Sequence, residues 1–278
     1  MNIIQNKSFD FHQTFQPQRI YIANILELAY SNYQGTKEDI SKISGIPTGK
    51  FSGKVIPHIK YACYMGLINY SLNKSIYTLS ATEVGKKVYE NDKSLSLNIT
   101  KLICHYNMCD FKDGAPQWSY LFKVFKTQEI SEFKIKTLNE VASHDIQKNV
   151  DFAIISKVYS SKQNEDNILN GIGLKEQNKT FYFAKVEYRF EYIYVYAYSL
   201  LHIWEEYRAD SNQITIGMLI NELKWNNIFG ISQEDALDII DELEELGIIK
   251  VNKQMDPVLI QRLNSCKNMI DKLYCYAI

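Results

Sequence analysis

No run of about 20 apolar residues, the length a membrane-spanning helix needs, occurs in the 278 residues of this chain. The most apolar region, residues 181–204, is interrupted by Lys185, Glu187, Arg189 and Glu191. The opening, Met1 to Asn6, lacks the basic start and apolar run of a signal peptide, so no export signal is expected. Cysteine is scarce: five, at scattered spacings, form no disulfide framework, and a reducing, cytoplasmic location follows. A Walker loop, a dinucleotide fingerprint and a GxSxG elbow are all missing, which leaves P-loop, Rossmann and serine-hydrolase chemistry without support.

What is present is the composition of a soluble globular protein, 46% hydrophobic and 23% charged, long enough for two or three small domains. The 20 tyrosines occur alongside many Asn, Ile and Lys, a pattern of AT-rich coding, so their number does not mark stacking residues. The net charge of −1 hides an asymmetry: residues 1–92 and 93–186 each carry +3, and residues 187–278 carry −7. The acidic last third is a poor partner for phosphate, whereas the first two thirds permit it.

Residues 36–79 organise the rest. Thr36 is an N-cap with Asp39 three residues on, and a short helix over 37–43 puts Ile40 and Ile43 on one face. Gly45 permits the turn, Ile46 plugs the space between two helices, and Pro47-Thr48 starts the second of them. Past Gly66, short runs at 69–70 and 76–79 around Asn73 fit a hairpin. This is a helix-turn-helix followed by a β-wing. Residues 20–30 supply a scaffold helix with Ile22, Ile25, Leu26 and Ala29 inward, and residues 82–89, with Val84 and Val88, a closing one.

The middle holds helices over 97–109, 117–125, 133–142 and 143–148, the last two resembling a degenerate helix-turn-helix with no evident wing. Residues 160–170 are polar and loop-like, and 171–174 with 180–183 form a hairpin around 177–179. A long helix over 186–208 opens the last segment, followed by helices over 215–223 and 232–246 and a strand over 247–251. Ser232 and Asp235 cap the 232–246 helix, which buries Leu237, Ile240 and Leu243 and presents Glu234, Asp235, Asp238, Asp241, Glu242 and Glu245 on its other side. The reading is a mainly α protein with small β-wings, built of tandem winged-helix (helix-turn-helix) modules: 1–92 winged helix, 93–185 mostly helical, 186–278 acidic and winged-helix-like.

Thr48, Lys50, Ser52, Lys54, His58 and Lys60 fall on or near the expected reading helix, and Lys74 in the wing, as candidate contacts to double-stranded DNA. Lys50 and Lys54 would project together at i,i+4. Gly49, Gly53 and Pro57 weaken that helix, and a module used only for protein contacts is the alternative. Cys104, His105 and Cys109 lack a second ligand pair and are not read as a zinc site. His12, among Phe9, Phe11 and Phe15, is either a ligand or base, or a structural hydrogen-bonding group; the structural role is expected. Asp145, Asp151 and Glu187 with Lys185 or Arg189 make only a nonspecific nuclease-like set.

Phe9-x2-His12-x-Thr14-Phe15 with Arg19 resembles the F-x-G-H-E-T-F…R opening of an uncharacterised prokaryotic domain family that accompanies DNA-phosphorothioation genes and other phage-defence islands. Phe11 replaces the family's glycine, Gln13 its glutamate, and the arginine falls one residue late. Gly66-Leu67-Ile68, Leu79-x2-Thr82-x2-Gly85, His105-Tyr106 and Ala115-x2-Trp118-x3-Phe122 follow in the family's order, over roughly the first 125 residues. The resemblance implies a DNA-modification or defence context; one member type, the Ssp-type subunit, nicks DNA for sulfur incorporation. No catalytic residue carries over. The expectation is a non-catalytic DNA-binding subunit without cofactor, with no membrane contact, its acidic last domain meeting other proteins of the complex; the alternative is a nicking endonuclease using Mg or Mn.

Overall fold

The computed structural model of the protein describes residue 4 and residues 6–49, 52–126, 130–159 and 166–277. Among these no helix is long and apolar enough to cross a membrane. Helices predominate, with small antiparallel sheets between them, and the chain divides into two compact units, Met1–Ala184 and Lys185–Ile278.

The first unit begins with α1 (Arg19–Tyr30), which buries Ile22, Ile25, Leu26 and Ala29 at helical spacing. Strand β1 (Gln34–Gly35) leads into α2 (Lys37–Ser44). The Thr36 hydroxyl accepts the Asp39 N–H and the Asp39 carboxylate accepts the Thr36 N–H, so two donors left over at the helix start are satisfied reciprocally. Gly45 ends α2 at φ 70°, a left-handed conformation that a Cβ would penalise. Ile46 is fully buried, as a plug should be.

Two local expectations fail here. Ile43 does not share the buried face of Ile40; α2 sinks Ile40 alone and leaves Ile43 58% exposed. The next helix, α3 (Val55–Tyr64), starts well after Pro47-Thr48. Residues 47–49 and 52–54 instead lie outside any helix, joined by a Thr48–Gly53 bridge and by the Lys54 N–H donating to the Pro47 carbonyl at 2.8 Å. Glycine disfavours helix, and a Cβ on Gly53 would lie 2.6 Å from Thr48 Cα. Pro57 falls in the first turn of α3, where its missing N–H removes no helical bond, so no kink results.

Strands β2 (Ile68–Asn73) and β3 (Ile76–Ala81) pair from Ile68↔Ala81 to Asn73↔Ile76. Their two-residue turn, Lys74-Ser75, has φ of 46° and 72°, the primed geometry that matches strand twist. β1 adds to the far side of β3, giving the order β1-β3-β2. Thr82 caps α4 (Glu83–Asn91), which lays Val84 and Val88 into the core.

After α5 (Asn98–Met108), Pro116 opens α6 (Pro116–Tyr120), which continues as a π-helical turn, Leu121–Phe125. Trp118, Leu121, Phe122 and Phe125 are all buried. Strand β4 (Glu132–Phe133) precedes α7 (Ile135–Ile146), a single helix ended by Gln147 at φ 55°. The two helices expected over 133–142 and 143–148 are therefore one, and no helix-turn-helix lies within 130–148. α8 (Ala153–Tyr159) and a hairpin of β5 (Leu174–Gln177) and β6 (Thr180–Phe183) complete the unit, with β4 joined to β6. The hairpin expected around 177–179 is thus present, and it follows the helices of the middle segment. The polar loop expected over 160–170 lies partly outside the described residues, at 160–165.

In the second unit the expected helix over 186–208 starts later. The Val186 N–H donates to the Phe229 carbonyl at 2.9 Å, and a 3-10 turn, Phe190–Tyr192, leads into α9 (Ile193–Tyr207). Strand β7 (Gln213–Thr215), a π-helical turn Met218–Glu222, α10 (Trp225–Phe229) and α11 (Gln233–Glu245) follow. The Ser232/Asp235 capping box is present. α11 buries Ala236, Ile239, Ile240 and Leu243, whereas Leu237 is 42% exposed rather than part of the core face. Strands β8 (Ile249–Asn252) and β9 (Leu259–Arg262) and helix α12 (Cys266–Ile270) end the described fold.

One order recurs three times: helix, short strand, further helices, hairpin. Each time the short strand pairs with the hairpin's second strand, as β1-β3-β2, β4-β6-β5 and β7-β9-β8. A two-stranded hairpin is marginal alone, so a third strand and the helices beside it are what make each copy a stable layer.

Candidate nucleic-acid interface

The residues chosen from the sequence do not form one reading face. Lys50 lies outside the described residues. Thr48 is half-buried in the loop bridge and Ser52 is exposed beside it. Lys54 is not an i,i+4 partner on a helix but the N-cap of α3. Its ammonium donates to Gln18 Oε1 at 3.0 Å and lies over the rings of Phe15 and Tyr21, 5.9 and 5.4 Å from their centroids.

His58 is fully buried, with Nδ1–H donating to the Lys54 carbonyl at 2.6 Å and Nε2 accepting the Gln18 N–H at 3.2 Å. Burial lowers its pKa to about 4, so the ring is neutral and internal, which corrects its assignment as a DNA contact. Lys60 is half-buried on the outer stripe of α3 with Ile56 and Cys63, and Lys74 stands exposed at the hairpin tip. Six of the ten residues of α3 are buried, Val55, Pro57, His58, Ile59, Tyr61 and Ala62. A helix packed this deeply has little surface left to lay in a groove.

The stronger sequence signal is an absence. Residues 40–82 contain no Asp or Glu, although the chain has 32, and they include Lys42, Lys50, Lys54, Lys60 and Lys74. This acid-free run includes the end of α2, α3 and the β2–β3 hairpin. Among the described residues, Lys42 and Lys74 are its exposed cations, and cross-strand pairing puts Asn69, Ser71, Asn73, Thr78 and Ser80 on one face of the hairpin. No carboxylate within the run opposes a phosphate.

The family-motif residues sit inside the first unit, not on this surface. The Thr14 N–H donates to His12 Nδ1 at 2.9 Å, and the Thr14 carbonyl accepts from Lys157 Nζ at 3.0 Å. Tyr61 donates to the Phe15 carbonyl at 3.0 Å, Gln117 Nε2 to the Phe9 carbonyl at 2.5 Å, and Arg19 to the Ser94 carbonyl at 2.6 Å. Trp118 is buried, its indole N–H donating to Tyr159 at 3.0 Å, and its ring meets Tyr61 edge-on. Phe9 and Phe11 are buried, Phe15 is half-buried, and His12 is 9% exposed with a pKa lowered by burial. The motif is a strap that ties α3 to the middle segment, and the structural reading of His12 fits this geometry. His105 lies apart, edge-on to Phe122 with Nε2 3.9 Å from Cys109 Sγ.

Near His105 the fold buries an ion pair that sequence reading did not single out: Lys123 Nζ lies 3.7 Å from Asp110 Oδ2, both side chains inside. Lys126, over the Phe183 ring at 5.1 Å, has its pKa lowered to about 8 by burial. Buried charges are rare unless paired, but nothing in their one-dimensional spacing marks them.

The nuclease-like set is otherwise engaged. Asp145 accepts from Tyr120 at 2.7 Å; Asp151 accepts from Asn139 at 3.1 Å and from the Ala153 N–H at 2.9 Å. Glu187 lies 3.7 Å from Arg189, and Lys185 pairs with Asp235 at 2.6 Å. On α11, Asp235, Asp241, Glu242 and Glu244 meet Lys185, Lys253, Tyr188 and the Val251 N–H respectively. Glu234, Asp238 and Glu245 face solvent on the same helix as the exposed Leu237.

By fold and surface, the chain is a mainly helical protein of three repeated helix–strand–helix–hairpin segments, the first acid-free over residues 40–82. It belongs to the family described as "Protein of unknown function (DUF4007)", whose model matches residues 9–274. No curated protein matches it. Solved structures of the same fold include "Magnesium ion-bound SspB crystal structure", 15% identical with a TM-score of 0.78, covering 96% of this chain and 87% of that one. They also include "SspB crystal structure", 15% identical with a TM-score of 0.77, covering 98% and 89%. At that identity the likeness is one of fold.

Proposed function

We propose that this protein is a DNA-binding subunit of a DNA-modification system of the phosphorothioation type, or of a phage-defence system, acting as a non-catalytic chain of tandem winged helices. The observation that carries the reading is the coincidence of the acid-free run with the first helix–strand–helix–helix–hairpin segment, which is the element order of a winged helix. Double-stranded DNA suits that surface because phosphate neutralisation by lysine supplies sequence-independent affinity. The phosphorothioation context draws on the motif resemblance and on the full-length fold likeness to SspB.

We read 1–92, 93–185 and 186–278 as the functional domains, each holding one copy of the repeat. The acidic third copy serves other proteins of the complex, since Glu234, Asp238 and Glu245 are exposed, with Leu237, on the helix that would otherwise face phosphates. The activity needs no bound cofactor, and the five free cysteines suit the reducing cytoplasm.

A second reading, metal-dependent DNA nicking with Mg or Mn, is favoured by one observation: a structure of this fold is described as magnesium ion-bound. Against it, Asp145 and Asp151 are engaged in hydrogen bonds within the fold. Anisotropy with a labelled short duplex over a salt series, beside supercoiled plasmid incubated with Mg or Mn, tests both. The expected result is salt-sensitive binding with the plasmid intact. Metal-dependent nicked circles would install the second reading, and no binding at low salt would remove the first.

A further inference from the structure

The tip of the β2–β3 hairpin sets two exposed aliphatic side chains about an exposed lysine on a tight turn. Leu72 and Ile76 are large aliphatic side chains left 55% and 39% exposed, one on each side of the Lys74-Ser75 turn. The register pairs Leu72 with Tyr77 and Asn73 with Ile76, so the two aliphatics project from opposite faces of the ribbon and bracket Lys74. The turn is a tight primed one, which holds the tip narrow. No carboxylate occurs anywhere in residues 40–82.

The other two hairpins do not repeat this. The middle tip, Asn178-Lys179, is flanked by Gln177 and Thr180, and the Glu176 carboxylate accepts the Lys179 N–H at 2.5 Å. The last hairpin is joined by a longer loop, residues 253–258, that carries Asp256 and has Lys253 paired with Asp241.

We propose that the first hairpin tip, Leu72 to Ile76, enters the minor groove of duplex DNA, with Asn73 and Lys74 reaching into the groove and Leu72 and Ile76 acting as apolar wedges against the base steps. The inference rests on the DNA-binding reading and names its mode. The minor groove is about 6 Å wide, too narrow for a helix but open to a tight turn. Its strongly negative potential attracts lysine, and proteins that use it read with Lys or Asn and wedge with Leu or Ile. The buried face of α3 leaves little surface for the competing mode, insertion of that helix into the major groove. Leu72 and Ile76 have no core to fill; between unstacked base steps they find an apolar one.

The test uses the full chain with an A·T-rich duplex, netropsin as minor-groove competitor and methyl green as major-groove competitor. The variants are Lys74→Ala and the double Leu72→Ser, Ile76→Ser, each checked by thermal melting, which should match the wild type because all three side chains are exposed. Netropsin should displace the wild type and methyl green should not. Lys74→Ala should reduce the salt slope by about one. The double variant should bind about tenfold more weakly at an unchanged slope, with less bending of an end-labelled duplex. Wild-type binding displaced only by methyl green, or variants that bind as the wild type does, would overturn the groove assignment and leave DNA binding standing. Absence of wild-type binding to any duplex at low salt would instead remove the DNA-binding reading itself.

Discussion

His58 Nε2 accepts the backbone N–H of Gln18 at 3.2 Å, so one imidazole joins the first turn of α3 to the chain just ahead of α1. With Nδ1–H on the Lys54 carbonyl, both ring nitrogens are used inside the fold. The ring is a neutral clasp for the N-terminal strap, and it explains why α3 cannot offer this histidine to a ligand.

Stability should therefore depend on pH with a definite sign. The folded pKa of His58 is about 4 against 6.5 for the free side chain, so as pH falls the unfolded chain takes up the proton first. The His58 contribution is full above about pH 7 and is lost through the window from 6.5 down to about 4, by up to about 3 kcal/mol. His12, also lowered by burial, acts in the same direction. Urea titrations from pH 8 to about 4 measure it. His58→Gln should lose roughly 1–3 kcal/mol at neutral pH and flatten the acid limb; an unflattened limb would exclude His58 as its source.

Asp110→Ala should cost roughly 3–5 kcal/mol, because it removes the carboxylate 3.7 Å from the buried Lys123 ammonium together with the acceptor of the Lys112 and Asp113 N–H groups. Adding Lys123→Met should recover much of that loss. A double variant as unstable as the single one would mean that the charge pair is not the cause.

Lys54→Gln should lower stability, by on the order of 1 kcal/mol, through loss of the Gln18 contact and of the Phe15 and Tyr21 rings beneath the ammonium. The salt slope of DNA binding should stay where it is. A slope reduced by one would return Lys54 to the phosphate-contacting set.

Neutralising the open face of α11, with Glu234→Gln, Asp238→Asn and Glu245→Gln together, should leave duplex affinity unchanged or raise it slightly at low salt. Those carboxylates face solvent on the acidic segment, and like charges near phosphate only repel. Weakened binding by this triple variant would contradict the division of labour between the first and third segments.

The sequence by itself determined what depends on neighbours three or four residues away. The Thr36–Asp39 and Ser232–Asp235 boxes, the Gly45-Ile46 turn and the hairpins around Asn73 and Asn178 are closed by local hydrogen bonds or local backbone preference, so their residue types announce them. The resemblance to a defence-associated family was readable for the same reason, as short motifs in order. Only the tertiary structure decided which faces are covered. His12, Trp118 and His58 find partners two to forty-one residues away, and Gln117 reaches Phe9 across 108. The strap over α3 turned a periodicity that fits a reading helix into a core helix, and the glycine loop before it moved Lys54 from a helix surface to a cap. Strands as short as β1, β4 and β7 have too few residues to show a period, so a recurring order was readable only in the first and last segments, and the middle copy emerged when β4 paired with β6.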